Sequence, residues 1–87
     1  MPEISRFMGI VIRMYIDEHN PPHFHADHGE DKAEIEIEGP RLHNGSLPPH
    51  LLRKVLEWAR IHHDELLADW YLLRAEKPIL KIKPYEE

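Results

Sequence analysis

The sequence predicts an α+β domain in which helix covers one face of a small antiparallel sheet. The first half of the chain alternates apolar and polar residues with a period of two, and the second half spaces its apolar residues at helical intervals. Strands followed by helices are typical of this fold class. We expect three to four N-terminal strands, a short C-terminal strand, and either two helices or one bent helix. The 87 residues have room for a single domain over residues 1–87.

The first strand is predicted from Met8 to Ile16. The even-numbered residues of this stretch are all apolar, whereas the odd-numbered ones are mixed. Because successive side chains of a strand point to opposite faces, this alternation indicates a strand with one buried face. Pro21 and Pro22 follow it. Since proline lacks an amide donor and has a fixed φ, these two residues separate the first strand from the next.

A β-hairpin is predicted over residues 23–38, with Gly29 and Glu30 as its turn. Glycine at the first central position favours a type II′ turn. The resulting register pairs His23 with Glu36, Phe24 with Ile35, His25 with Glu34, Ala26 with Ala33, Asp27 with Lys32 and His28 with Asp31. All the apolar members then point inward and the charged members outward. A slip of one residue would exchange the two faces, so the pattern itself favours this register.

The rest of the chain predicts one more short strand, two helices and a terminal strand, over residues 41–43, 48–62, 64–76 and 79–83. We expect Ser46 to cap the first helix, because a serine hydroxyl can accept a free amide of the first turn. Trp58, Leu66 and Trp70 fall on apolar helical stripes and are expected in the core. Whether the two helices are separate or fused into one bent helix is left open by the pattern.

Composition excludes several classes of protein. There is no cysteine, hence no disulfide framework and no thiolate zinc site. No apolar run approaches the roughly 20 residues that span a membrane, and the N-terminus lacks a signal-peptide pattern, so we expect a cytoplasmic protein with no membrane partner. The net charge of -5 argues against non-specific nucleic-acid binding, although a local basic patch is compatible with it. No Gly-rich phosphate loop is present.

Histidine is unusually frequent, and four of the eight histidines lie between positions 19 and 28. His23 and His25 are two apart on the predicted strand, so they point the same way at a spacing of about 6.6 Å. The predicted partner strand places Glu34 beside them. Imidazole and carboxylate together suit zinc or another divalent metal, which makes His23, His25 and Glu34 candidate ligands. The same residues also fit a ladder of opposite charges that stabilises the hairpin with no cofactor.

General acid–base catalysis is a second chemistry that these residues allow. A histidine beside a glutamate titrates near neutral pH, and Arg13 on the same sheet face could stabilise developing charge. His23, His25 and Arg13 are therefore the candidate catalytic residues of a ribonuclease-like hydrolase, metal-free or metal-assisted, with RNA as its partner. The alternative is that the basic residues only offset an acidic surface.

Several stretches together resemble a known family of small bacterial domains, the domain-of-unknown-function family 4160. They are Met1-Pro2-Glu3-Ile4-Ser5-Arg6-Phe7, Gly9-Ile10-Val11-Ile12, His19-Asn20-Pro21-Pro22-His23-Phe24-His25-Ala26, Leu47-Pro48, Val55-Leu56-Glu57-Trp58-Ala59, Glu65-Leu66-Leu67 and Trp70. The block at 19–26 is the most specific of them, and the resemblance covers nearly the whole chain.

The resemblance implies a partner rather than a reaction. Members of the family look like partners of the domain-of-unknown-function family 2442 and are sometimes labelled toxin–antitoxin components. This implies a two-gene module with a small cognate protein encoded next to this one, and it supplies no catalytic residues. We therefore expect a toxin–antitoxin-like component whose histidine-bearing sheet face is its working surface. The alternatives are a divalent-metal-binding module and a non-catalytic interaction or regulatory domain.

Overall fold

The computed structural model, which describes residues 2–86, is an α+β fold of five strands followed by two helices. The elements are β1 (Glu3–Phe7), β2 (Ile10–Arg13), β3 (His23–His28), β4 (Asp31–Glu36), β5 (Arg41–Gly45), α1 (Pro49–Ile61) and α2 (His63–Arg74). Each strand pairs antiparallel with the next, so the sheet has the order β1-β2-β3-β4-β5. The fold class is confirmed, but the N-terminal half of the chain supplies one strand more than we expected.

The extra strand is β1, and it changes the first predicted element. Met8 and Gly9 form the turn between β1 and β2, with φ values of 54° and 75°, instead of opening a strand. A register shift between Glu3 and Ser5 breaks the alternation in β1, so the sequence there shows no period of two. The predicted strand also ends early, since the chain leaves the sheet after Arg13 and Ile16 is 47% exposed.

The central hairpin is confirmed in full. All six predicted pairs of β3 and β4 are observed, from His23 opposite Glu36 to His28 opposite Asp31. Gly29 has a φ of 59°, as the first position of a type II′ turn requires. The inward residues of the hairpin are buried against the helices, and the ring of Phe24 meets that of Trp58 edge-on at 5.9 Å.

The helices are two, and they meet at His62. Trp58, Leu66 and Trp70 are buried as expected. Ser46 is not the cap of α1: Pro48 occupies that position without a side-chain hydrogen bond, and its carbonyl accepts the first amides of the helix. The proline occupies the position because its φ of -53° and missing donor suit a helix start. In the described part of the chain, neither helix has the length and apolarity to cross a membrane.

The predicted strand at 79–83 is absent from the described residues, and the C-terminal segment instead lies extended beside β1. The amide of Ile82 donates to the carbonyl of Ile4 at 3.0 Å, and the Ile82 side chain is buried. The indole of Trp58 donates to the carbonyl of Lys83 at 2.8 Å. A single hydrogen bond to β1 does not make the C-terminal segment a strand of the sheet, but the segment covers this edge.

Candidate functional site

A row of polar residues crosses the sheet on the face that points away from Phe24. The pairing registers place Arg13, His25, Glu34 and Asn44 side by side on β2, β3, β4 and β5. We call this side of the sheet the outer face. The period of two directs Arg13, His25 and Glu34 outward, because their neighbours in sequence are apolar residues of the core, and Asn44 follows from its pairing with Glu34.

His23 lies on the outer face as its register predicts, but the expectation that it is exposed is wrong. Its exposed fraction is only 6%, because the ring of Trp70 from α2 covers it at a centroid distance of 5.4 Å. His25, one pair further along β3, is only partly buried. The edge of the Tyr15 ring packs on the His25 ring at 4.6 Å. The two histidine rings are 5.5 Å apart, so they share one site with different access to solvent.

The hydrogen bonds of His23 define its tautomer. Nδ1 is 2.8 Å from the carbonyl oxygen of Pro21, which can only accept, so Nδ1 carries the proton and donates. In the neutral ring Nε2 is then a lone pair. This buried Nε2 has no hydrogen-bond partner, and the nearest polar atoms are carboxylate oxygens of Glu18 at 3.5 Å and Glu34 at 3.8 Å. Because two carboxylates face this atom, Nε2 suits either a proton, which makes the ring cationic, or a metal ion in place of that proton.

Glu18 is the site residue that sequence analysis missed. Its Oε1 is hydrogen-bonded to Nε2 of His25, while its Oε2 faces His23. Arg74 of α2 donates to the Glu18 carbonyl and so holds the loop in place. Burial alone would raise the pKa of the Glu18 carboxyl, but hydrogen bonds and charge from His25 and His23 lower it below its ordinary value. The position of Glu18 just before the histidine block was the only sequence signal for it.

Glu34, the predicted carboxylate ligand, lies at the margin of this cluster. Its carboxylate makes no hydrogen bond to the described residues, and its distance of 3.8 Å from His23 Nε2 is longer than that of Glu18. The expected charge ladder is mostly rearranged. Asp27 and Lys32 are 3.9 Å apart, whereas Glu36 pairs with His43 at 3.1 Å instead of with His23.

Arg13, the third candidate catalytic residue, is beside His25 in the register but is already engaged. Its Nη1 donates to Oδ2 of Asp27 at 3.0 Å, and both side chains are partly buried. The structure therefore brings His23 and His25 together with Glu18, and holds Arg13 next to them in an ion pair of its own.

An open depression of about 580 Å³ lies over this row. Its lining comprises Tyr15, Glu18, His25, Asp27, Lys32, Ala33, Glu34, Asn44 and Gly45. Three carboxylates therefore face one lysine, but Asp27 is already paired with Arg13 and Lys32. The remaining two, Glu18 and Glu34, make the depression favour cations over polyanions. His25 reaches this space, whereas His23 lies behind it.

Glu18, His23 and His25 together can serve as a set of metal ligands. One donor atom from each lies within 4.8 Å of the other two. Two nitrogens and one carboxylate oxygen suit zinc and other first-row divalent ions. The hydrogen bond from His23 Nδ1 to the Pro21 carbonyl is also of the kind that usually orients a metal-binding histidine.

The fold and the site define a small α+β domain with a histidine–carboxylate cluster on its sheet. Residues 9–71 match the family described as Domain of unknown function (DUF4160), and because this is more than half of the chain, the protein belongs to that family. The resemblance seen in the sequence is thereby confirmed. No curated protein and no solved structure gives a match.

Proposed function

We propose that this protein binds a divalent metal, with zinc as the preferred ion, through Glu18, His23 and His25. The observation that carries the proposal is the buried Nε2 of His23, which makes no hydrogen bond to the described residues and faces two carboxylates. Leaving a buried acceptor unsatisfied costs roughly 1–3 kcal/mol, so a cation at this point removes a penalty as well as adding ligand bonds.

The spacing of the donors supports zinc. Two ligands of a tetrahedral zinc, each about 2.1 Å from the ion, are about 3.4 Å apart. Nε2 of His23 and Oε2 of Glu18 are 3.5 Å apart. The contact between His25 and Glu18 is closer, so the ion would replace the proton that the two share and separate them. Glu34 is the nearest further carboxylate and would be the fourth ligand or an acceptor for a bound water.

The test is zinc binding by the untagged protein. We expect micromolar zinc to raise the melting temperature, since a ligand present at 100 times its dissociation constant stabilises the fold by about 2.7 kcal/mol. His25→Ala should abolish the shift, because it removes one of the three ligands. The His25 side chain is partly exposed, so the truncation itself should leave the fold intact. Calorimetry on the same proteins gives the stoichiometry, which we expect to be one ion per chain.

His50→Ala is the matched control for this test. His50 lies on α1, is exposed and makes no side-chain hydrogen bond within residues 2–86, so its loss should leave zinc binding unchanged. Glu18→Gln should weaken binding as His25→Ala does, since an amide is a poor zinc ligand. The proposed site would be rejected if zinc raised the melting temperatures of the wild type and of His25→Ala equally, or if no zinc bound at micromolar concentration. A proton would then be the occupant of His23 Nε2.

A second candidate is a component of a toxin–antitoxin-like module that cleaves RNA and is held in check by a small cognate protein. The observation in its favour is that His25 borders the open depression, with Arg13 beside it and Glu18 bonded to its ring. His25 would act as general acid or base and Arg13 would stabilise charge. The buried His23 would orient the pair instead of touching substrate. Glu18 and Glu34 in the depression oppose a polyanion, which ranks this candidate second.

Controlled expression tests this second candidate. We expect growth to slow when the protein is expressed alone and to recover when the product of the neighbouring gene is co-expressed. His25→Ala should remove the effect and His50→Ala should keep it. Normal growth with intact RNA during strong expression of the wild type would rule out the toxin role without affecting the zinc proposal.

A further inference from the structure

We propose that the free edge of β5 and the acidic depression beside it form a docking site for an extended, arginine- or lysine-bearing segment of a partner protein. The segment would add to the sheet as a sixth strand and direct its basic side chains over the outer face. This proposal does not depend on metal binding.

Of the two edge strands of the sheet, β1 is covered by another part of the chain and β5 is not. The C-terminal segment lies along β1, where Ile82 donates to Ile4 and buries its side chain. All five residues of β5 are exposed, including Leu42 at 39%. Native sheets usually protect an edge strand by covering it, bending it or charging it heavily, because its unpaired amides and carbonyls accept another strand. Within residues 2–86 no strand pairs with the outer edge of β5, although β5 carries Arg41 and is irregular opposite Glu34 and Ile35.

The charges beside this edge select the partner. Glu18, Asp27 and Glu34 line the depression against a single Lys32, whose amine is 3.9 Å from Asp27 and whose side chain is 72% exposed. Of the three carboxylates that line the depression, Glu34 is the one on β4, where it pairs with Asn44 of β5, and it makes no hydrogen bond to the described residues. The unpartnered Nε2 of His23, 3.8 Å behind Glu34, supplies it with no proton in the neutral ring. Glu34 is partly exposed and is therefore available to pair with a basic side chain of a partner segment.

The strand register shows where the basic residue would lie. The row Arg13–His25–Glu34–Asn44 crosses four strands, so its next position falls on a strand paired outside β5. Such a strand lies about 4.8 Å beyond β5. Asn44 is short, and its Oδ1 accepts the amide of Gly45, so it does not block the way. A long basic side chain could lean across Asn44 to reach Glu34.

The probe is a hexapeptide of alternating valine and arginine, blocked at both ends and titrated into metal-free protein in chelator and into zinc-loaded protein. We expect binding to the metal-free protein with slowed amide exchange along β5, and weaker binding to the zinc-loaded protein, because the ion would neutralise Glu18 and Glu34. The matched hexapeptide of alternating valine and glutamate should not bind. Glu34→Gln should weaken binding about fivefold, the upper end of what one exposed ion pair contributes.

Glu30→Gln is the control, because Glu30 is exposed in the hairpin turn outside the depression and its replacement changes the net charge equally. The proposal is overturned if the arginine and glutamate peptides bind alike or neither binds, if Glu30→Gln and Glu34→Gln weaken binding equally, or if amide exchange of β5 is unaffected. Binding of a single-stranded RNA oligomer in place of the arginine peptide would also overturn it. Loss of zinc binding alone would leave it standing.

Discussion

At the residue scale, the histidines of this protein behave differently although their surroundings in sequence are similar. His23 and His25 are two apart on one strand, yet Trp70 buries the first and the second borders the depression. His63 differs from both, since its two ring nitrogens face carboxylates: Nε2 is 2.7 Å from Glu38 and Nδ1 is 2.9 Å from Asp64. Contacts from other elements decide the role of each ring, because imidazole serves equally as donor, acceptor and cation.

His63 therefore makes stability depend on pH. Hydrogen bonds to Asp64 and Glu38 raise the pKa of His63 above its ordinary value of 6.5. A raised folded pKa contributes stability that is complete below the unfolded value and is lost as pH rises through the folded value. We expect a small fall of the melting temperature across that window, absent in His63→Gln and retained in His50→Gln. Titration of the His63 ring by NMR at or below the ordinary value would contradict this prediction.

At the scale of elements, the sheet depends on how closely β4 and β5 approach each other. Gly45 ends β5 opposite Ala33, and the amide of Ser46 donates to the carbonyl of Lys32 at 3.0 Å. A Cβ on Gly45 would lie 2.0 Å from the Lys32 oxygen. β5, which borders the depression, can therefore pair with β4 only because Gly45 has no side chain.

We expect Gly45→Ala to destabilise the fold by more than about 2 kcal/mol, because the variant combines a left-handed φ of 79° with a backbone clash. Gly29→Ala is the matched control: its φ is 59° but no atom lies within 4 Å of the added Cβ. That variant should cost only the conformational part, about 1–2 kcal/mol. Chemical denaturation of both variants measures the difference, and equal losses would show that the close approach of β4 and β5 is unimportant.

At the scale of the whole molecule, the C-terminal segment covers the edge of the sheet at β1 and leaves the edge at β5 uncovered. The C-terminal segment returns to β1 and is held there by the Trp58 indole as well as by Ile4. A carboxyl oxygen of Asp69 accepts the amide of Leu80 at 3.0 Å, and burial of that side chain raises its pKa. Three carboxylates and one lysine line the depression on the open side.

The sequence by itself determined the central hairpin with its register, the inward set around Phe24, and the helical second half with its buried tryptophans, whereas the structure decided that this half is two helices. These features follow from turn chemistry and from periodicity, which are local properties of the chain. Only the tertiary structure decided that Glu18 joins His23 and His25, that Trp70 buries His23, and that the C-terminal segment covers β1. Arg74 holds Glu18 across 56 positions of sequence, and no local pattern encodes such a contact.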